Sequence, residues 1–303
     1  MNEKIRFDDQ VIIVTGAGNG IGREYALLLA KLGGKVVVND YGGSAYGEQW
    51  GNNYAQQVVD EIIASGGEAI ADQTDVSQKG AGDIIVKSAI EQWGRVDVLI
   101  NNAGSSRGGM SIETTMDEDF DFTMNVHFGG TYRLIRAVWP HMVKQKAGRI
   151  INTSSDSIWG TSFHPYVAAK SAVFGLTRSV AAEGKEHNII VNSIMPSAWT
   201  RMTADIPPGD FRDQVEQNFK AEHVALSVAV LAHSSFTITG EAFQIGGKRI
   251  ANNYLANTRG YQMTSEQPLE ELAANFDAVL DREGAVTPTD MLDSVEVALS
   301  YLK

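Results

Sequence analysis

This chain is predicted to fold as an α/β protein, a doubly wound parallel sheet of seven strands with helices on both faces. Three observations predict it. Short Val/Ile-rich runs alternate with longer stretches of helical periodicity, the pattern of βαβ units. The runs are continuously apolar, as strands covered on both faces are. The first run ends in a glycine turn, Thr15-Gly16-Ala17-Gly18-Asn19-Gly20-Ile21-Gly22, that opens directly into an apolar helix.

Strands are expected at 11–15, 35–39, 69–73, 96–101, 149–154, 189–194 and 242–245, and helices at 21–32, 52–65, 79–93, 117–146, 165–186 and 210–232. Asp117-Glu118-Asp119 suits the positive end of a helix dipole, and Pro140 predicts a kink further along. Right-handed crossovers place any ligand beyond the carboxyl ends of the strands. Two segments break the rhythm: a loop at 41–51 longer than the usual connection, and residues 251–303 beyond the last strand.

The chain has 303 residues, 43% hydrophobic and 20% charged, which is ordinary globular composition. Its net charge of −12 argues against a nucleic-acid partner, whose phosphates need a basic stripe. Residues 251–303 hold nine acids and three bases, half of that net charge, and read as a solvated helical surface. No apolar run is long enough to span a membrane, and the first residues lack the apolar core of a signal peptide. With no cysteine there is no disulfide or thiolate chemistry, and the expected location is cytoplasmic. The six histidines have no metal-ligand spacing; His127 and His164 could border a pocket, with packing the plainer role.

The glycine turn presents backbone N–H groups and a dipole end to an anion. Without Cβ atoms at Gly16, Gly20 and Gly22, and with Asn19 and Ile21 between them, a pyrophosphate can approach closely. Asp40 closes the second strand, where a carboxylate accepts both ribose hydroxyls of an adenosine and repels a 2′-phosphate, favouring NAD over NADP; a turn-starting Asp is the competing reading. Asp75-Val76 follows the third strand, where Asp75 could meet an adenine amine or serve as a cap. Asn102-Ala103-Gly104 follows the fourth, either lying against a ribose or forming a plain turn.

Tyr166 and Lys170 are four residues apart, so on a helix phenol and ammonium share a face. A nearby cation favours phenolate and would bring the tyrosine toward neutral pH as a proton acceptor. Ser155 ends the fifth strand eleven residues earlier, where its hydroxyl could hold a substrate oxygen or merely cap a turn; Ser154 and Ser157 are its rivals. Asn125 sits in mid-helix, where it could hold a water that relays protons from Lys170 or be an exposed polar position.

Together, Thr15-Gly16-x-x-x-Gly20-x-Gly22, Asn102-Ala103-Gly104, Asn125, Ser155 and Tyr166-x-x-x-Lys170 resemble, in order, the short-chain dehydrogenase/reductase family over nearly the whole chain. The resemblance implies a Rossmann-like fold, NAD as cofactor, and a small-molecule secondary alcohol as substrate. It implies Tyr166 as general acid/base, Lys170 as phenolate stabiliser and ribose ligand, Ser155 as orienter of the reacting oxygen and Asn125 as holder of the relay water. Pro196 stands where the family has Pro-Gly, here Pro196-Ser197, beside the cofactor. The helix of Asn125 and that of Tyr166 would build a homodimer or homotetramer. Residues 1–250 would be the NAD-binding domain and 251–303 a C-terminal helical extension packing on the same domain or a neighbouring subunit.

Val36-Val37-Val38-Asn39-Asp40-Tyr41-Gly42-Gly43, the long loop after it and Arg201-Met202-Thr203 are similar to the (3R)-hydroxyacyl-CoA dehydrogenase unit of peroxisomal multifunctional enzymes of type 2. That implies oxidation of (3R)-3-hydroxyacyl-CoA. Trp159, Phe163 and Trp199 suggest a cyclic or steroid-like alcohol as the alternative, and a dinucleotide-binding sensor without chemistry is a third reading. Arg107, Arg201, Lys248 and Arg249 are the candidate ligands for CoA phosphates.

Overall fold

The computed structural model describes residues 4–301 apart from 45, 49, 50, 106, 108–110, 202, 204, 205 and 265. Met202, and Ala45, Gln49 and Trp50 of the long loop, therefore lie outside the described residues. The chain divides into two compact units, Met1–Asn252 and Asn253–Lys303.

Eight strands form one sheet: β1 Val11–Thr15, β2 Lys35–Asn39, β3 Glu68–Asp72, β4 Val98–Asn101, β5 Gly148–Thr153, β6 Ile189–Pro196, β7 Ala242–Gly246 and β8 Arg249–Asn253. Their order is β3-β2-β1-β4-β5-β6-β7-β8, and the pairings from β3 across to β7 are all parallel. The order reverses between β1 and β4, so a crevice opens there beyond the strand ends.

Seven strands were expected; the eighth is new. Gly247 (φ 55°) and Lys248 (φ 65°) both adopt positive φ, the conformation of a two-residue type I′ turn, which returns the chain beside β7. A lysine there gives no turn signal in sequence.

Helices cover both faces, and strand alternation divides the core between them. Ile12, Val14, Val36, Val38, Val98 and Ile100 face α1 Gly20–Lys31, α2 Tyr54–Ala64 and, later in the chain, the helix at Ala221–Ala232. Val11, Ile13, Val37, Leu99 and Ile150 face the other layer, built from α3 Ala81–Trp93 and the two helices Gly130–Gln145 and His164–Gly184. Each such fully buried aliphatic side chain stabilises by roughly 1.5–3 kcal/mol relative to exposure.

The helix expected over 117–146 is interrupted. It runs as α4 Asp117–Met124, a widened π-type segment Asn125–Gly129, and α5 Gly130–Gln145, which passes through Pro140 without breaking. Side chains satisfy the loosened carbonyls: Thr131 Oγ1 donates to His127 O (2.7 Å) and Arg133 Nη1 to Asn125 O (3.3 Å). The Tyr/Lys segment is α6 His164–Gly184. The stretch 210–232 is likewise two helices, α7 Asp210–Asn218 and α8 Ala221–Ala232. Phe219 lies between them against Gly246, where a Cβ would come within 2.9 Å of its ring.

In the second unit, Asn257 and Val286 exchange two backbone hydrogen bonds, and α9 Pro268–Ala274, α10 Phe276–Leu280 and α11 Met291–Ser300 follow. Asp290 caps α11 by accepting from Asp293 N (3.0 Å). Among the described residues no helix is long and apolar enough to cross a membrane.

Candidate active site

The glycine turn is knitted to the end of β4. Thr15 Oγ1 accepts from the backbone N–H groups of Asn102 (3.0 Å) and Ala103 (3.1 Å). In return, Asn102 Nδ2 donates to Thr15 O (3.0 Å) and Gly16 O (3.1 Å). The side chain of Asn102 is thus committed to shaping the turn. Gly16 has φ +62°, and a Cβ there would meet Ala103 Cα at 2.8 Å, so only glycine fits. A Cβ on Gly22 would lie 2.2 Å from Gly16 O, which lets α1 start tight against the turn. Gly20 is different: a Cβ there would make only ordinary contact with Thr200 at 3.5 Å, and it is its φ of +55° at the helix N-terminus that favours glycine. Asn19 precedes the helix with no capping bond, and its Nδ2 is a buried donor with no partner among the described residues. Ile21 is the second residue of α1 and packs partly buried against the core.

Asp40 is 7% exposed and held rigidly. Its Oδ2 accepts from Gly18 N (3.0 Å) and its Oδ1 from Gly42 N (2.9 Å). Each carboxylate oxygen keeps a further lone pair, so the group can still receive hydroxyls. Gly18, which the spacing argument left out, proves necessary: a Cβ would come within 2.8 Å of the Asp40 carboxyl carbon. Asp75 does not cap α3, whose N-cap is Gly80; it opens the turn before it, with Oδ1 accepting from Ser77 N (2.9 Å) and Oδ2 from Gln78 Nε2 (3.1 Å). It also lies close enough to Tyr41, as does Asp40, to help burial push that phenol up. Val76 is buried against Gly130.

At the other end of the crevice, three serines separate by their bonds. Ser154 is fully buried and its Oγ donates to Lys170 O (2.9 Å), tying β5 to α6. Ser157 Oγ has no partner among the described residues. Ser155 begins the tight turn Asp156–Trp159, accepts from Ser157 N (3.1 Å), and is the serine whose hydroxyl bonds the Tyr166 phenol. Tyr166 stands in the first turn of α6, and Lys170, one turn on, is 3% exposed with Nζ 5.4 Å from the phenol ring centroid. Pro196 closes β6 on the same side, and Ser197 after it donates to Asp156 Oδ2 (3.3 Å).

The electrostatics differ from the expectation of a phenol lowered by its lysine. Burial pushes Tyr166 up; the Ser155 hydrogen bond pulls it down and the Asp156 carboxylate pushes it up again. Lys170 is spent elsewhere: Nζ donates to Thr153 O (2.7 Å), and burial draws its pKa down from 10.5 to about 7. The free site therefore presents a protonated phenol, the state that donates to a carbonyl, beside an amine poised near neutrality.

Asn125 does not join this group. Its side chain is exposed, and Oδ1 accepts from Arg133 Nη2 (2.9 Å). Two residues on, His127 does join it. The imidazole is 2% exposed and meets the Tyr166 ring edge to face, with centroids 5.1 Å apart. Its Nε2 lies 3.0 Å from Ser105 O, and burial together with the Lys170 charge holds its pKa well below the ordinary range. Gly104 provides the room, since a Cβ there would stand 2.6 Å from His127 Cε1. Nδ1 has no partner among the described residues, a burial that costs about 1–3 kcal/mol.

A nicotinamide dinucleotide fits this crevice. Bare Gly20 and the unmet Asn19 donor at the start of α1 suit a pyrophosphate, and the fixed Asp40 carboxylate suits a ribose. The family model described as short chain dehydrogenase matches residues 10–210. The chain is 39% identical to peroxisomal multifunctional enzyme type 2 of Mus musculus, over 97% of this chain and 40% of that one. It superposes on the full-length type 2 enzyme of Drosophila melanogaster with a TM-score of 0.80 and 32% identity, covering 98% of this chain and 50% of the other. A 7α-hydroxysteroid dehydrogenase complexed with NADH and 7-oxo glycochenodeoxycholic acid gives a TM-score of 0.72 at 28% identity, over 80% of this chain and 95% of that one. The chain thus spans half or less of either multifunctional relative.

Proposed function

The chain belongs to the short-chain dehydrogenase family and is an oxidoreductase acting on hydroxyl groups, and we propose that it interconverts (3R)-3-hydroxyacyl-CoA and 3-oxoacyl-CoA with NAD. The observation that carries the chemistry is the meeting of Ser155, Tyr166 and Lys170 at the crevice, at the far end from the glycine turn and Asp40. When bound, the nicotinamide accepts or gives hydride. The chain's own residues manage the proton. Ser155 holds the reacting oxygen as a donor, and Tyr166 exchanges the proton with it. The protonated phenol suits reduction directly. In oxidation it must first shed its proton, which the Ser155 hydrogen bond favours and burial and Asp156 oppose.

NAD rather than NADP follows from Asp40. Two backbone N–H groups fix the carboxylate, so it cannot swing away from a 2′-phosphate. The acyl-CoA substrate rests on the likeness to the multifunctional enzymes, now an argument from relatives alone. Two of the four cations considered for its phosphates are engaged otherwise: Arg107 pairs with Asp119 (2.7 Å), and Arg249 donates to Gln244 (3.0 Å). A cyclic alcohol is the second reading, favoured by Trp159, 69% exposed just after Ser155, and by Trp199 stacked under Arg212.

The test follows NADH formation with matched (3R)- and (3S)-3-hydroxyacyl-CoA thioesters and simple cyclic alcohols. Turnover of the (3R) thioester alone is expected, and its loss in Tyr166→Phe with NADH binding retained. Inactivity on every thioester eliminates the CoA reading, and full activity of the Phe variant removes Tyr166 from the chemistry.

A further inference from the structure

We infer that Asp156 is a specificity-determining residue of the crevice: a fixed carboxylate without an ion-pair partner, one residue beyond Ser155, that excludes alcohols bearing a carboxylate near the carbinol and admits those whose neighbouring polar group is neutral or cationic. The inference rests on the alcohol chemistry proposed above and not on its CoA part.

Three elements hold the carboxylate. Asp156 opens the tight turn Asp156–Trp159 directly after Ser155, the serine whose hydroxyl bonds the phenol. Its Oδ2 accepts from Gln244 Nε2 on β7 (3.0 Å) and from Ser197 Oγ just beyond β6 (3.3 Å). Among the described residues these partners are an amide and a hydroxyl, and Oδ1 is buried with no partner at all. The link to a cation is indirect. Gln244 Oε1 accepts from Arg249 Nη1 (3.0 Å), so an uncharged amide stands between guanidinium and carboxylate.

The charge reaches the reacting centre, where it pushes the Tyr166 phenol up against the pull of the Ser155 hydrogen bond. A substrate oxygen held by Ser155 and Tyr166 brings its neighbouring carbons into the same field. The other titratable groups at the phenol do not offset it. Lys170 Nζ is committed to Thr153 O with its pKa drawn down to about 7, and burial keeps His127 neutral. Like charges brought together away from water repel strongly, so a free 3-hydroxy acid is rejected. The same acyl group masked as a thioester, ester or amide escapes the repulsion. Selection here works against the wrong substrate rather than through a new contact with the right one.

Two comparisons test this. Tyr166→Phe protein loaded with NADH, which the proposed role of Tyr166 leaves without turnover, is titrated with acetoacetamide and with acetoacetate while NADH fluorescence is followed. The amide should bind at least about 10-fold tighter than the anion. Adding Asp156→Asn, whose amide oxygen can still accept from Gln244 and Ser197, should narrow that gap to about twofold. Kinetics then compare (3R)-3-hydroxybutyrate with its N-acetylcysteamine thioester. Wild type should favour the thioester in kcat/KM by roughly 10²-fold, and Asp156→Asn should reduce that preference about tenfold. An amide that binds no better than the anion, or a preference that Asp156→Asn leaves unchanged, overturns the inference. If wild type turns over no alcohol, the proposed function fails while the binding comparison still decides the role of the charge.

Discussion

Replacing Lys170 by Met should stabilise the protein at neutral and acidic pH and abolish one component of its pH dependence. Burial draws the Lys170 pKa from 10.5 down to about 7, and Nζ, 5.4 Å from the Tyr166 ring centroid, donates to the Thr153 carbonyl at 2.7 Å. Below pH 7 native and unfolded chains both hold this proton, and the native state bears the full cost of a buried charge. Between about pH 7 and 10.5 the unfolded chain keeps a proton that the native state has shed, so native stability rises with pH. At about 1.4 kcal/mol per pH unit, and allowing for partial titration at each end, the gain from pH 6 to 9 is about 2.7 kcal/mol. Tyr166 is pushed up and His127 well down, so the two neighbours titrate away from this window. Methionine fills similar volume without charge. Urea unfolding at several pH values, without dinucleotide, should find Lys170→Met more stable at pH 6, its lead shrinking by about 2–3 kcal/mol by pH 9. Parallel curves for the two proteins would refute the buried-amine argument.

The serines should separate cleanly. Ser154→Ala loses the bond to Lys170 O, about 1 kcal/mol visible as a lowered unfolding midpoint, whereas Ser155→Ala should leave the midpoint in place and cut kcat/KM by roughly 10²-fold; equal kinetic losses would return Ser154 to the site. Asp40→Ser should raise the KM for NAD, relax discrimination against NADP, and cost about 1–3 kcal/mol because Gly18 N and Gly42 N lose their acceptors; comparing both coenzymes with a denaturation curve checks it. Gly104→Ala should act through the imidazole it displaces, lowering kcat while NADH affinity holds, and a loss confined to NADH affinity would contradict that.

What was legible in the sequence was whatever depends on local pattern. Apolar runs located seven strands to within two residues, and β1, β2, β4 and β5 carry the apolar composition of strands buried on both faces. The glycine turn was legible because Gly16 and Gly22 are imposed by backbone contacts that any side chain would violate. Contacts across the fold were hidden. Asn102 reaching back to Gly16 O, Asp40 gripping Gly18 N and Lys170 donating to Thr153 O join residues 86, 22 and 17 positions apart. The eighth strand stayed hidden because Lys248 takes a left-handed turn without the residue type that announces one.

The exchange of Asn125 for His127 is a question of helical phase, and the phase was recoverable. Successive helical residues are about 100° apart, so positions 125 and 127 point to nearly opposite sides, and at most one can meet α6. Residue type favoured the asparagine, a poor helix former in mid-helix. The apolar stripe decides otherwise. Met142, Val138, Leu134, Thr131 and His127 are spaced by four or three residues, and all are buried, whereas Asn125 falls off that line and is exposed. Counting back from the secure apolar positions would have led to the histidine. The widened turn at Asn125–Gly129 explains why such counting still needs the structure: it inserts slack just where the stripe enters the site, yet leaves His127 on the Tyr166 side. Residue type nominated one neighbour for the Tyr/Lys pair, and helix phase selected another with different chemistry, a buried, fixed imidazole in place of a solvent-facing amide.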